Sequence, residues 1–169
     1  FAKYTCGTGS PAAWEAVGAD IIGSGAANDG LHAIAISPSG TIYIGGNFVS
    51  ASSNTDCNNI AYWNGTAWAP LDTGLNGIVY ALAFAPNGNL YIGGSFTDAT
   101  ITGGDYLCYW DGTSFVQIGS TELNGTVYTL AFDHMGKLLI GGTFTNAGGI
   151  ANADYIARWT GSTWQALGT

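Results

Sequence analysis

The side chains in this sequence that could carry out a reaction are few and scattered. The two histidines, His32 and His134, fall in different kinds of segment and bring no repeated partner. The eleven carboxylates are Glu15, Glu122 and nine aspartates; Asp29, Asp72, Asp111 and Asp133 stand beside glycine or at turn positions. Acid–base catalysis needs titratable groups that converge in one pocket, and no carboxylate pair here has the surroundings of a glycosidase pair. No serine lies in a G-x-S-x-G elbow. Cys6, Cys57 and Cys108 show neither C-x-x-C nor Cys–His spacing for zinc, and no dense Asp spacing of an EF-hand kind appears. The expectation is therefore a protein that is not an enzyme, with no catalytic residue, cofactor or metal. What remains is recognition. Asn54 and Asp56, Asp98 and Asp105, and Asn146 and Asp154 form three oxygen-bearing pairs in loops, and they are the candidate partner-binding residues. Six tryptophans and nine tyrosines open a second chemistry, stacking on a carbohydrate, although an aromatic repeated at one strand position is first a packing residue.

The elements that must position these loops are written three times. Gly45-Gly46, Gly93-Gly94 and Gly141-Gly142 recur 48 residues apart. Around the second pair run Asn76-Gly77, the apolar stretch Val79 to Phe84, Asn87-Gly88, Leu90-Tyr91-Ile92, Phe96, Tyr109-Trp110, Gly112, Phe115 and Ile118-Gly119. Self-similarity at this period indicates a ring, array or propeller. Each copy divides into four short strands, a to d. Strand a (Leu31 to Ile36, Val79 to Phe84, Val127 to Phe132) is apolar on both faces and is expected to be covered on both sides. Strand b ends in the diglycine, which marks a bulge or a close approach of another backbone. Strand c (Ile60 to Trp63, Tyr106 to Trp110, Tyr155 to Trp159) turns at Asn64-Gly65 or Asp111-Gly112 into strand d, which carries Trp68, Phe115 or Trp164.

Sheets apolar on both faces with a Gly and aromatic motif per unit read as all-β propeller blades. The expected boundaries are 29–74, 75–121 and 122–169, after a half blade at 1–28. In that half blade Ala2-Lys3-Tyr4-Thr5 stands for strand c, and Trp14 to Gly18 for strand d, so the helix-like window Ala12 to Val17 is read as strand. Three complete blades and a half do not close a ring. The open flanks would expose apolar faces, so the array is expected to belong to a longer polypeptide or to assemble from identical copies.

The order of aliphatic pair, Gly-Gly, aromatic and Trp resembles Kelch-type propeller blades. More closely, Ile60-Ala61-Tyr62-Trp63-Asn64-Gly65 with Trp68, and Ile156-Ala157-Arg158-Trp159 with Trp164, resemble the secreted repeats of bacterial surface proteins, phage-associated proteins and fungal cortical markers. That resemblance covers residues 29 to 169. It implies a structural or adhesive module at an extracellular, cell or virion surface, with carbohydrate binding as the alternative and an enzymatic site outside this segment as the third reading.

Charge agrees with a weakly charged, wet exterior. The net charge is −8, with Lys3, Lys137 and Arg158 the only basic residues. Phosphate backbones need several cations, so nucleic acid is excluded as a partner. An anionic membrane surface fails for the same reason, and no apolar run approaches the roughly 20 residues that span a bilayer. The expected partners are further blades or identical subunits, and a glycan or protein ligand. Three cysteines leave at least one unpaired; a Cys6–Cys57 disulfide is one option, and Cys108 fills a small core position held by Ala61 and Ala157 elsewhere. Asn64-Gly65-Thr66 and Asn124-Gly125-Thr126 read as glycosylation sequons in a secretory setting, and equally as turns.

Overall fold

A computed structural model describes residues 2–4, 14–17, 20–27, 29–97, 104–120 and 123–167. The architecture is all-β. Strands β1 (Ala2–Tyr4) and β2 (Trp14–Ala16) form an antiparallel pair with Lys3 opposite Glu15. A short β3 (Ile21–Ile22) follows. Blade 1 comprises β4 (Gly30–Ile36), β5 (Ile42–Asn47), β7 (Ile60–Trp63) and β8 (Trp68–Ala69), with β6 (Ser50–Ala51) inserted between b and c. Blade 2 comprises β9 (Val79–Phe84), β10 (Leu90–Gly94), β11 (Leu107–Trp110) and β12 (Phe115–Gln117). Blade 3 comprises β13 (Val127–Phe132), β14 (Leu138–Gly142), β15 (Ile156–Trp159) and β16 (Trp164–Ala166). Each blade is a four-stranded antiparallel meander in the order a-b-c-d. One 3₁₀ turn, Ala147–Gly149, is the helical element among the described residues.

The blades stack in chain order and converge on their first strands: β4 packs on β9, and β9 on β13. Three buried clusters fill the seams. Val17 and Ile21 pack on Ile44, Phe48, Ala61 and Trp68 of blade 1. Ile60, Leu71 and Tyr43 of blade 1 meet Val79, Leu90, Ile92 and Phe115 of blade 2. Leu107, Ile118 and Tyr91 of blade 2 meet Val127, Leu138, Ile140 and Trp164 of blade 3. The sheets are apolar on both faces because their buried faces meet in seams between blades, not because one large core lies between them.

Strand a is covered on both sides only in the middle of the stack. In β4 the side chains of Ile34 and Ile36 are 49% and 62% exposed, and in β13 Tyr128 is 51% exposed. The expectation of two covered faces thus holds for β9 and fails for β4 and β13, each of which packs on the first strand of one other blade among the described residues. Strand c begins one residue later than its pattern suggested in blades 2 and 3. Tyr106 and Tyr155, like Asn59 in blade 1, sit at φ of about +60°, in the left-handed region that non-glycine residues seldom adopt. All three hold the same backbone bridge: their carbonyls accept from Gly46, Gly94 and Gly142, and their N–H groups donate to Phe48, Phe96 and Phe144.

The diglycine has two separate jobs. In strand a of every blade the ladder register skips one residue opposite it, His32, Tyr80 or Tyr128, which makes a β-bulge. The second glycine faces the carbonyl just before the bulge, that of Gly30, Ile78 or Thr126, so closely that no β-carbon fits. In blades 1 and 2 the first glycine faces the next blade. A β-carbon on Gly93 would lie 2.7 Å from Cγ1 of Val127, and Gly45 meets Val79 in the same way.

Candidate functional site

The two histidines lie in different blades. His32 lies on β4 and His134 in the turn between β13 and β14. Among the described residues no three His, Cys, Asp or Glu side chains are placed to share a metal ion. Turn aspartates do local work: the Asp111 carboxylate accepts from the N–H groups of Thr113 at 2.8 Å and Ser114 at 2.9 Å. Those bonds, Ser114 first, hold its pKa below the ordinary carboxylate value. Asn64 serves the same turn in blade 1 through Thr66 and Ala67, and Asn124 is bonded at both ends to Thr145, so the first braces a turn and the second ties the entry of blade 3 to the segment after β14. Cys57 and Cys108 are free buried thiols; burial raises the Cys57 pKa to about 11 and pushes Cys108 up as well. Cys6 lies outside the described residues.

The bulge does bring His32 into company. Its ring lies 5.3 Å from Tyr80, which lies 5.1 Å from Tyr128, so one row of rings crosses the inner strands of all three blades. These residues are 48 apart in sequence. The spacing was the available signal, but only the register shows that each is the bulge residue.

The loop residues resolve into anchored pairs. Asn54 is half-buried, and its side-chain oxygen accepts from the Asp56 N–H at 2.9 Å. The loop containing them is tied down more than its polarity suggested: β6 pairs with β3, and Ser50 and Ala51 are buried. Asn146 and Asp154 are brought together, the Asp154 carboxylate accepting from the Asn146 N–H at 2.6 Å. Gly148 in that loop lies directly against the Trp164 indole, which fixes the loop to strand d. Asp105 is half-buried at the entry to β11, and Asp98 lies outside the described residues. All three b–c loops leave the same end of their sheets, because every blade repeats the same meander.

The seams also carry grooves. A cavity of about 470 Å³ lies where Val17 meets Tyr62, Trp63 and the turns at Gly40 and Gly65. A second, of about 340 Å³, lies between blades 2 and 3 beside Asn89, Tyr91, Tyr109 and Trp159. Both contain the tryptophan that ends strand c and the glycine of the turn after it, so they occupy corresponding places in the repeat. The tyrosines are held by packing. Tyr91 stacks on Tyr109 at 5.3 Å and meets Phe132 of the next blade edge-on at 5.1 Å. Burial, and then the neighbouring Tyr109, raises the Tyr91 pKa.

Comparison with known proteins bears on this geometry. The model of the Rax2 C-terminal β-propeller domain matches residues 19–97 and again residues 69–165, two overlapping spans offset by about one blade. No curated protein matches the chain. A solved structure described as YCF48 bound to D1 peptide is similar at a TM-score of 0.55 and 18% identity over 90% of this chain. The chain spans 42% of the length of that protein, and the likeness concerns the fold. Among the described residues no helix is long and apolar enough to cross a membrane.

Proposed function

This chain belongs to the Rax2 C-terminal β-propeller domain family, and from that premise we propose that it is a non-enzymatic structural and adhesive module at an extracellular, cell or virion surface. The observation that carries the proposal is the contrast between invariant frame and varied rim. Three blades repeat the same bulge and glycine pair, while their b–c loops differ in sequence, and among the described residues the loops of blades 1 and 3 are braced to strand d of their own blade. Rigid scaffolds that present variable loops are the usual architecture of recognition. The scarcity of charge and the resemblance to secreted surface repeats support the location.

The exposed flanks are assigned to further sheets of the same repeat, by continuity with the interior seams. Gly141 occupies the place at which Gly45 and Gly93 receive a valine from the next blade. Those sheets come from the same longer chain; sedimentation at multiples of 17.3 kDa would assign them to identical copies instead.

Adhesion is tested with beads carrying the 169-residue chain, scored for retention on intact cells and on isolated surface material. Asp56→Lys and Asn146→Gly should abolish retention without lowering the melting temperature. Retention unchanged in both variants would overturn the loop assignment, and no retention by the unmodified chain would overturn the adhesive role.

A further inference from the structure

Blades 2 and 3 meet along a seam whose outer half stays open, and Trp159 stands in the middle of that opening. Beside the indole are a cavity of about 340 Å³ that Asn87 and Asn89 help to line and one of about 160 Å³ lined in part by Ser120, Ser162 and Thr163. Trp159 borders both. Its ring is held in place, 5.2 Å from Trp164 and with its far edge against Gly119, where a β-carbon would come within 3.3 Å. The result is a trough in which a fixed, half-buried aromatic ring borders both hollows.

The polar character of the trough narrows the ligand. Among the described residues that line either hollow none carries a formal charge, in a chain that has eleven carboxylates. A cationic ligand would find no carboxylate there and an anionic one no cation. The Asn89 backbone is engaged in its turn, donating to the Asn87 side chain at 3.1 Å, while the Asn89 carboxamide makes no hydrogen bond to a described residue. A carboxamide offers both donors and an acceptor.

The seam between blades 1 and 2 differs at that point. Thr41 and Pro70 stand where Asn89 and Gln117 stand, and the hydroxyls of Ser37, Ser39 and Thr41 are bonded to one another. Unengaged amide groups beside an aromatic plane therefore mark the 2–3 seam in particular.

We infer that this trough binds a neutral oligosaccharide, with one pyranose ring stacked on Trp159. The apolar C–H face of a pyranose matches the indole, and its rim of hydroxyls, each both donor and acceptor, matches Asn89 on one side and Ser162 and Thr163 on the other. The larger hollow, at about 340 Å³, falls in the size range of small-ligand sites, and its polar lining suits a hydroxyl-rich ligand. Units on either side of the stacked sugar occupy the two hollows. The inference rests on the adhesive reading above and names the ligand class for one part of the surface.

Isothermal titration of the 169-residue protein with cellotetraose, mannotetraose and N-acetylchitotetraose tests it, with tetragalacturonate and a neutral Gly-Ser-Thr peptide as comparators. At least one neutral tetrasaccharide should bind saturably. Asn89→Ala should weaken it about tenfold, the loss expected for one hydrogen-bonding group at a bound ligand. Trp159→Phe should weaken it further than Asn89→Ala, while Thr41→Ala on the other seam leaves it unchanged. The assignment is overturned if no neutral sugar binds at millimolar concentration, if binding survives both Asn89→Ala and Trp159→Phe with melting temperatures intact, or if the peptide or the acidic sugar binds more tightly. The bead assay separates the two readings. Adhesion without sugar binding removes the trough and leaves the adhesive module; sugar binding without adhesion does the reverse.

Discussion

A β-carbon at Gly93 would press on Cγ1 of Val127, which belongs to the next blade, whereas one at Gly141 would meet Cγ2 of Thr129 in its own sheet, each at 2.7 Å. The two glycines hold the same place in the repeat, one in an interior seam and the other on an open flank. The surrounding aromatics follow the same division. Tyr43–Tyr62 and Tyr91–Tyr109 are stacked pairs that meet Phe84 and Phe132 across interior seams. On the flank of blade 3 the corresponding pair is Leu139 and Arg158, and Ile156 beside them is 47% exposed. The comparison teaches that the second glycine of each pair is required by its own blade, and the first by whatever stands next to it.

The largest effects should come from the second glycine, and they should not depend on position in the stack. Gly94→Ala and Gly142→Ala each place a methyl group against a backbone carbonyl that a bulge holds fixed. Each should cost about 3 kcal/mol or more, at the upper end of overpacking losses, read from urea unfolding. A tolerated Gly142→Ala beside a damaging Gly94→Ala would break the claim that the bulge alone demands this residue.

The first glycine should separate seam from flank. Gly93→Ala should cost roughly 2 kcal/mol, because Val127 is fully buried between blades and cannot turn away. Gly141→Ala should cost less than about 1 kcal/mol, because Thr129 is exposed and its methyl can rotate. Equal losses at the two sites would mean that the neighbour is irrelevant.

Exchanging the aromatic layer sharpens the same contrast. Tyr91→Leu copies blade 3 into the interior seam and should cost about 1 kcal/mol or more, since it removes two ring contacts. Leu139→Tyr on the flank should be close to neutral. Alkali reports on the same pair. Burial raises the Tyr43 and Tyr91 phenols above the ordinary value of 10.0, so the folded state favours their protonated forms. Their contribution to stability is full below about pH 10 and is lost as pH rises through the folded value. Urea midpoints should fall above pH 10 in the unmodified protein, and less steeply in Tyr91→Leu.

The smallest effect is expected at Trp164. Its indole Nε1 is buried and makes no hydrogen bond among the described residues, and blade 2 already uses Phe115 at that position. Trp164→Phe trades lost area for removal of an unsatisfied donor, and the net change should stay within about 1 kcal/mol. A loss several times larger would point to an unrecognised partner for the indole.

Much of this fold is legible in the order of its residues, and for local reasons. A turn such as Asn64-Gly65 or Asp111-Gly112 is decided by the φ of one glycine and by one side chain bonded to nearby N–H groups. Strand type is decided by alternation over a few residues, which is why the helix-like window before blade 1 contains strand β2. Legibility of the site is poorer. Loop polarity indicated Asn54, Asp56, Asn146 and Asp154, but it could not reveal that β3 and β6 pair and draw Ser50 and Ala51 out of solvent. Tyr106 and Tyr155 read as ordinary strand residues, since nothing local announces a positive φ at a tyrosine.

By itself the amino-acid sequence determined that the chain carries repeated blades, their four strands and their turns, because each depends on short-range geometry and on alternation of apolar side chains. Tertiary structure alone decided which residue bulges, which glycine meets a neighbour and which seam stays open around Trp159. Those outcomes depend on side chains about one repeat apart coming into contact, and contact at that range is set by register and stacking, which no local pattern encodes.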